Sequence, residues 1–336
     1  MSHPKRNHTH TAGAPIPSGT GLVPVENLWK TAPRMGAAPR GTLWSVNPWF
    51  VTSFYRFIPL EDLPTQQAEI RAAMESLGVL GLVLVAKEGL NGTVASQDQA
   101  AIEAFKDHIR QRCDQAVTFK DSQCFEPPFV RVSVDIRREI VGMKRPDLVP
   151  ENPENHHLSA EEWDALLTSD RPKLLIDTRN DYEVKVGKFR GAIDPGLKKF
   201  SEWGDYLRTA ELPRDVPVMI YCTGGIRCEK AILEMRAQGF GEVYQLRDGI
   251  LGYLAERPEG TFEGECYVFD KRVAVDASLA PTQIWGTCPG CGLPAEKHGS
   301  CVMCGEEMSV CEGCQEPFGP VCSKKCRDVW VRHGKR

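Results

Sequence analysis

Eight of the thirteen cysteines stand in four short pairs near the C-terminus, and this spacing limits what the last part of the chain can fold into. Two cysteines separated by two or three residues can bind one tetrahedral metal ion, and two such pairs complete a closed site. A segment this short buries little apolar surface, so bound metal would supply most of its folding energy. We therefore expect two structural zinc ions. The expected ligands are Cys288 and Cys291, Cys301 and Cys304, Cys311 and Cys314, and Cys322 and Cys326.

The cysteine pairs leave some alternatives open. An iron–sulfur cluster or a single zinc ion would also use such ligands. The order of the pairs does not tell whether neighbouring or alternate pairs share a metal. His298 lies among them but is not needed as a ligand. The last residues of the sequence, 324–336, carry six cationic side chains and a single acidic one, Asp328. Such a segment suits either a local nucleic-acid surface or a solvated tail. The cationic residues are Lys324, Lys325, Arg327, Arg332, Lys335 and Arg336.

Metal binding is expected rather than disulfide formation because the sequence shows no sign of export from a reducing compartment. The first thirty residues hold no apolar segment resembling a signal peptide. The longest apolar run, residues 79–86, is far shorter than the ~18 residues of a membrane span. A chain of 336 residues with a formal net charge of −4 is not a globally cationic nucleic-acid binder. We therefore expect a cytoplasmic protein with no membrane or DNA partner.

Changes in composition divide the chain into four segments. Residues 1–46 are rich in Gly, Pro, Ser, Thr and His and show no periodicity, so a disordered tail is expected. Prolines between residues 146 and 153 indicate a linker, and the chain becomes cysteine-rich from residue 266. The expected segments are the tail 1–46, an α+β domain 47–146, an α/β domain 153–262 and a cysteine-rich zinc-binding domain 266–336.

The segment 47–146 shows the order β-α-β-β-α-β, which is typical of a ferredoxin-like sandwich. Residues 88–92 are predicted to form a turn. The last strand is predicted where Val and Ile alternate with polar residues over 130–136. The other predicted elements are strands over 49–57 and 79–86 and helices over 63–77 and 100–112.

The segment 153–262 alternates strands with helices, which is typical of an α/β domain with a parallel sheet. Ser159 and Glu162 form a capping-box pattern that predicts the start of a helix. Ligands of open parallel sheets bind at the carboxyl ends of the strands. The other predicted elements are strands over 173–177, 217–221 and 242–246 and a helix over 226–238.

Cys222 ends the second of these strands and is followed by a glycine-containing loop and a helix. Main-chain N–H groups at a helix N-terminus stabilise an anion, and Arg227 adds a full positive charge. Both effects favour the thiolate, which is the nucleophilic form of cysteine. We therefore predict that Cys222 and Arg227 are catalytic. The predicted active loop consists of Thr223, Gly224, Gly225 and Ile226, followed by Cys228.

Each of the two cysteines has a second interpretation. Cys222 would otherwise be a buried packing residue, but packing does not require the Gly-Gly and Arg that follow it. Cys228 lies inside the predicted helix, where it is either a packing residue or a resolving thiol for an oxidised or persulfidated Cys222.

Four residues separate Cys222 from Arg227, whereas cysteine-based phosphatases have five. The smaller loop resembles that of the rhodanese superfamily, whose members carry sulfane sulfur as a cysteine persulfide. Residues 175–183 resemble its D-x-R-x-x-x-E stretch, and residues 187–193 the Gly-Ala-Ile run that follows. The resemblance implies that Asp177 and Arg179 brace the active loop. A local salt bridge at a strand end is the alternative for this pair.

Three runs, residues 87–95, 222–231 and 267–275, resemble the signatures of the TrhO family, also called YceA or UPF0176. Its members are rhodanese-domain tRNA uridine hydroxylases, and the resemblance covers roughly residues 50–330. It implies that tRNA is the substrate, that the wobble uridine becomes 5-hydroxyuridine with dioxygen as co-substrate, and that prephenate metabolism is required. The family's active-site cysteine corresponds to Cys222, and Asp248 stands where the family pattern has glycine.

The residues themselves indicate only a reactive thiolate. The sequence has no His-x-Asp/Glu pair of the kind used by non-haem iron enzymes and no Gly-x-Gly-x-x-Gly fingerprint. A sulfurtransferase that carries sulfane sulfur as a persulfide on Cys222 is therefore the alternative function. A third hypothesis is a non-enzymatic zinc adaptor with the rhodanese domain as a binding platform.

Overall fold

The computed structural model describes residues 47–113, 116–151 and 156–332, so the predicted tail over residues 1–46 lies outside the described residues. A five-stranded sheet is followed by a four-stranded parallel sheet and then by a cysteine-rich region. The strands are β1 (Trp49–Phe57), β2 (Leu80–Ala86), β3 (Gly89–Ser96), β4 (Thr118–Cys124), β5 (Val132–Ile136), β6 (His157–Leu158), β7 (Leu174–Asp177), β8 (Gly187–Phe189), β9 (Val218–Tyr221), β10 (Val243–Leu246), β11 (Phe262–Gly264), β12 (Cys266–Tyr267), β13 (Ala274–Val275), β14 (Trp285–Thr287) and β15 (Pro294–Glu296). The helices are α1 (Leu63–Ser76), α2 (Gln99–Arg112), α3 (Ala160–Thr168), α4 (Asp181–Val184), α5 (Trp203–Thr209), α6 (Ile226–Ala237), α7 (Gly249–Glu256), α8 (Glu312–Phe318) and α9 (Lys324–Arg332), and a 3₁₀ turn covers Phe200–Glu202.

The first sheet has the strand order β4-β1-β3-β2-β5, with α1 and α2 packed against it. Strand β5 is parallel to β2, and the other neighbouring strands are antiparallel. Phe54 and Phe105 are buried in the core that these elements enclose. Side chains alternate along a strand, so Tyr55 and Phe57 lie on the opposite face, where they pack with Ile226 of the second sheet's domain.

The predicted ferredoxin-like fold is confirmed, but two of its elements are assigned differently. The fourth strand of the pattern is β4, which lies at the sheet edge and is mostly polar, so no apolar alternation marks it. The strand predicted over 130–136 is β5, an added fifth strand. The turn predicted over 88–92 is wrong for residues 89–92, which belong to β3. Gly89 is needed there because a Cβ would lie 1.9 Å from the carbonyl oxygen of Arg56.

The second sheet has the parallel order β6-β10-β9-β7, which confirms the predicted α/β domain. The Ser159 hydroxyl accepts a hydrogen bond from the Glu162 N–H, and the Glu162 carboxylate accepts one from the Ser159 N–H, so the capping box is present. Asp177 at the end of β7 pairs with Tyr221 at the end of β9. The segments that follow these two strands therefore begin side by side at one edge of the sheet.

The C-terminal region consists of short strand pairs and two helices. Strand β12 pairs with β13 and β14 with β15, whereas β11 pairs with β8 of the preceding domain. Its buried cluster contains few apolar side chains, such as Val310 and Phe318, among many cysteines. Within the described ranges, no helix has the length and apolar character needed to cross a membrane.

Candidate active site and metal centres

The Cys222 sulfur lies in a tight loop between β9 and α6. Gly225 has φ +98°, a left-handed value that glycine adopts at little cost. In this conformation the Gly225 N–H donates to the Cys222 Sγ over 3.1 Å. Cys222 has no solvent exposure. The loop thus holds the sulfur against a main-chain donor in a fully buried position.

Arg227, in the first turn of α6, is bound by Glu183 of α4. Its Nη1 and Nη2 atoms donate to the two carboxylate oxygens of Glu183 over 2.6 and 2.7 Å, and both side chains are buried. The Thr223 hydroxyl also donates to Glu183, over 3.3 Å. Glu183 is absent from the predicted site residues, although it ends the D-x-R-x-x-x-E stretch that could have indicated it. Its carboxylate compensates a guanidinium that would otherwise be buried alone.

The surroundings of Cys222 favour its ionised form. Burial by itself raises the pKa of Cys222, but a hydrogen bond from Cys228, the charge of Arg227 and nearby main-chain N–H groups lower the pKa to about 6. Burial and the adjacent Cys222 raise the pKa of Cys228 well above its ordinary value. Cys228 therefore stays protonated and donates a hydrogen bond to the Cys222 sulfur, a role that the sequence interpretation did not include. Its sulfur lies 3.6 Å from the Thr178 hydroxyl.

The lowered pKa predicts that Cys222 is a thiolate at neutral pH. An ordinary thiol has a pKa of about 8.5, whereas Cys222 should lose its proton as the pH rises through about 6. The ultraviolet absorbance of the thiolate, measured as wild type minus Cys222→Ser, should therefore rise with a midpoint near pH 6. A midpoint at the value of an ordinary thiol would contradict this geometry.

Removing the carboxylate of Glu183 should destabilise the protein strongly. Glu183→Gln leaves the buried Arg227 without its hydrogen-bonded carboxylate and with only the Cys222 thiolate as a negative neighbour. Loss of one partner costs about 3–5 kcal/mol in comparable buried pairs. Urea unfolding would measure this loss. Glu263→Gln is the matched control because Glu263 forms an exposed pair with Arg190, and such pairs contribute about 0–1 kcal/mol. Equal losses in the two variants would contradict the prediction.

Asp177 and Arg179 form a fully buried ion pair with 2.7 Å between Nη2 and Oδ2. Arg179 also donates to the carbonyl oxygen of Gly187 over 2.5 Å. Thr178, which lies between them in sequence, connects this pair to the Cys222 loop. Its N–H and hydroxyl donate to the carbonyl oxygen of Tyr221, the residue before Cys222, over 3.0 and 2.9 Å. The pair therefore organises the end of β7, and Thr178 connects it to the residue before Cys222.

The first domain covers the Cys222 loop. A Cβ added to Gly225 would lie 2.9 Å from the Tyr55 hydroxyl oxygen, so Tyr55 contacts the loop directly. The Tyr55 hydroxyl donates to Glu229 Oε1 over 2.8 Å. Lys120 forms an ion pair of 3.1 Å with Asp248. Asp248 has φ +58°, so it adopts the left-handed conformation expected of the glycine that the family pattern has there.

Two of the three signature runs meet at this domain interface. Lys230, which has no solvent exposure, forms ion pairs of 2.7 Å with Glu88 and 2.8 Å with Glu139. Glu88 also accepts a hydrogen bond from the Ile140 N–H over 2.7 Å. In the sequence, Glu88 and Lys230 belong to two separate signature runs, and nothing there indicates that their side chains meet. The structure shows that they join the first domain to the helix that follows the Cys222 loop.

The third signature run reaches the same site from the C-terminal side. The Arg227 guanidinium lies 5.8 Å from the ring centre of Phe269, and the Tyr267 ring lies 5.3 Å from that of Tyr182. Arg272 donates to the Ser122 hydroxyl of β4 over 2.8 Å. All three signatures therefore converge around Cys222, although the first run ends more than a hundred residues before the second begins.

The eight predicted metal ligands form two groups of four cysteines. Within each group, all four sulfur atoms lie within 4.8 Å of one another. Sulfur–sulfur distances are 3.6 Å for Cys291–Cys311 and 3.5 Å for Cys304–Cys322. A tetrahedral zinc with Zn–S bonds of about 2.3 Å requires about 3.8 Å between sulfurs, so both groups fit a metal. The pairs alternate. One group is Cys288, Cys291, Cys311 and Cys314, and the other is Cys301, Cys304, Cys322 and Cys326.

Comparison with protein families divides the chain as the fold does. Residues 49–140 match the UPF0176 acylphosphatase-like domain, residues 159–256 the rhodanese-like domain, and residues 263–327 the rhodanase C-terminal family.

Curated relatives match most of the chain. A protein of Bdellovibrio bacteriovorus is 42% identical over 291 residues, which cover 86% of this chain and 83% of that protein. A protein of Acinetobacter baylyi is 38% identical over 274 residues, covering 78% and 86% of the two chains. One of Rhizobium etli is 42% identical over 242 residues, covering 71% and 78%. All three are named tRNA uridine(34) hydroxylase. The protein therefore belongs to the UPF0176 (TrhO) family of rhodanese-domain proteins, whose curated members bear that name.

Proposed function

We propose that the protein hydroxylates the uridine at position 34 of tRNA and that the Cys222 thiolate is essential to the reaction. The relatives named tRNA uridine(34) hydroxylase support the substrate and the reaction. The observation on this chain that carries the proposal is the stabilised anion: a buried sulfur with its pKa lowered to about 6, held by the Gly225 N–H beside Arg227. Dioxygen as co-substrate rests on the family resemblance.

The residues around the sulfur are proposed to act in different ways. Cys222 is the catalytic group, and the loop of Thr223, Gly224, Gly225 and Ile226 holds its sulfur, with the Gly225 N–H as a main-chain donor. Arg227 stabilises the thiolate. Glu183 fixes the orientation of the Arg227 guanidinium through two hydrogen bonds. Asp177 and Arg179 are positioning residues, because their contacts lead to the loop through the neighbouring Thr178.

The metal centres are proposed to hold two structural zinc ions. Four sulfurs with tetrahedral spacing and no fourth position left open for water are typical of structural zinc sites. The zinc ions would hold together a region whose own apolar core is small. We also propose the domain limits 47–146, 153–262 and 266–336, and the cytoplasm, where tRNA is modified, as the location.

Nucleoside mass spectrometry of tRNA tests the proposed reaction. A bacterial strain that lacks its own tRNA uridine(34) hydroxylase, and any parallel route to 5-hydroxyuridine, should regain this nucleoside when it expresses the wild-type chain. An expressed, folded chain that leaves the nucleoside at the level of the deletion strain would exclude the proposed function.

Sulfur transfer is the second candidate, and the six-residue span from Cys222 to Arg227 in a rhodanese-like domain is the observation that favours it. Incubation with thiosulfate should then add one sulfur atom to Cys222, detected by intact mass, and an acceptor thiol should remove it. A protein that gains no sulfur under these conditions is not a thiosulfate sulfurtransferase.

A further inference from the structure

A cavity of about 320 Å³ opens between the first domain and the rhodanese-like domain, beside the Cys222 loop. Its volume lies near the lower end of the range for small-molecule pockets, ~300–1,000 Å³. Strands β1 and β4 supply one wall, and α6 together with the turn before α7 supplies the other. The polar side chains that line it include Tyr55, Arg56, Lys120, His157, Glu229 and Arg247.

The charges of this cavity favour an anion. The Arg56 Nε is buried and has no hydrogen-bond partner among the described residues. Neither Arg56 nor Arg247 forms a salt bridge within the described part of the chain, whereas Lys120 is paired with Asp248. A buried guanidinium nitrogen without an acceptor is costly unless a ligand supplies one.

The remaining carboxylate in the cavity is already satisfied. Glu229 Oε1 accepts hydrogen bonds from Tyr55 Oη and from Gln245 Nε2, each over 2.8 Å. It also lies 3.1 Å from His157 Nε2. These donors disperse its negative charge, so it opposes an incoming anion only weakly. The cavity therefore presents two cations, Arg56 and Arg247, that have no carboxylate within salt-bridge distance in the described part of the chain, and Glu162 acts on Arg247 only at longer range.

The Tyr55 ring connects this cavity to the active loop. Its hydroxyl oxygen lies 2.9 Å from the position of a Cβ on Gly225, and Gly225 donates to the Cys222 sulfur. Lys120 stacks over the same ring, with Nζ 4.9 Å from its centre. A group bound in the cavity would thus contact the side chain that touches the sulfur loop. Aromatic side chains are also the surfaces on which unstacked RNA bases lie.

We propose that this cavity receives a single nucleotide of the substrate RNA, turned out of the anticodon loop. Arg56 and Arg247 bind its phosphate, and its base lies against the Tyr55 side chain, next to the Cys222 loop. The inference rests on the proposed function, because it takes RNA as the substrate, and it adds the place and the residues of binding. The first domain then contributes directly to substrate binding.

RNA binding by the full-length protein tests this site. Fluorescence anisotropy with a labelled anticodon stem-loop carrying uridine at position 34 should show at least fivefold weaker binding by Arg56→Gln. The slope of log K against log salt should become shallower by about 0.7, the value for one lost phosphate contact in a single strand. Arg56→Lys should restore most of the affinity. Arg171→Gln is the matched control, because Arg171 pairs with exposed Glu242 before β7 and β10, at the opposite edge of the sheet.

Crosslinking gives a second readout that does not depend on turnover. The same RNA with 4-thiouridine at position 34 should crosslink to peptides that contain Tyr55, His157 or Arg247. Crosslinks only to other segments, or equal affinity of Arg56→Gln and Arg171→Gln, would overturn the proposal. Both results leave the proposed function untouched if wild-type protein still produces 5-hydroxyuridine. Correct crosslinks from a protein that makes none of this nucleoside would instead refute the proposed function and retain the site.

Discussion

Replacement of Cys222 by serine is expected to reduce 5-hydroxyuridine in tRNA to the level of the deletion strain. Serine keeps the size of the side chain, but its hydroxyl does not ionise in a site where Cys222 has a pKa of about 6. Loss of an essential nucleophile lowers rates by on the order of 10³-fold or more. Nucleoside mass spectrometry of tRNA from complemented strains would measure the loss.

Cys266→Ser is the matched control for this experiment. Cys266 is also fully buried, but burial raises the pKa of its thiol to about 12, so it stays protonated. This variant should keep hydroxylation within a fewfold of wild type once equal amounts of folded protein are compared. If Cys222→Ser retained hydroxylation like Cys266→Ser, the thiolate would not be the reactive group.

If both groups hold the proposed zinc ions, loss of one ligand from either group is expected to release both ions. The two groups are interleaved in sequence: Cys301 and Cys304 of one group lie between Cys291 and Cys311 of the other. A metal bound to one group therefore closes a loop that contains two ligands of the other group. Structural zinc supplies about 10–16 kcal/mol of apparent binding free energy in small domains, and this region has little apolar core to replace it. Cys304→Ser should therefore lower the zinc content from two per chain to well below one.

Zinc analysis and limited proteolysis would measure this effect together. Cleavage of Cys304→Ser should concentrate within residues 285–332, while residues 49–256 remain resistant. His298→Ala is the control, since His298 lies in the same region but in neither metal group, and it should keep both ions. A Cys304→Ser protein with one zinc ion and a protease-resistant C-terminal region would show that the two sites fold independently.

The elements near Cys222 could be predicted because their signals are local. Strand β9, the Gly-Gly turn and α6 follow one another within a few residues, and the capping box at Ser159 needs only Glu162. Strand β4 escaped prediction because it is a polar edge strand, and β3 because its glycines suggested a turn. Those strands are specified by their neighbours in the sheet rather than by their own residues.

The site beyond the loop depends on contacts between distant residues. Tyr55 and Glu229 are 174 positions apart, and Lys230 meets Glu88 only because the first domain packs on α6. Spacing along the chain carries no information about such pairs. Glu183 is an intermediate case, since its place in the D-x-R-x-x-x-E stretch was visible but its partner Arg227 was not.

The amino-acid order alone therefore determined the chemical types present: a cysteine at the end of a buried strand with amides and an arginine after it, and four chelating pairs of thiols. These follow from backbone geometry over a few residues, which local sequence controls. Only the tertiary structure decided which pairs share a metal, which carboxylate holds Arg227 and that the first domain covers the sulfur. Such choices depend on how buried charges and apolar faces of separate domains are brought together in packing, where each group must find its partner at a distance of a few ångströms.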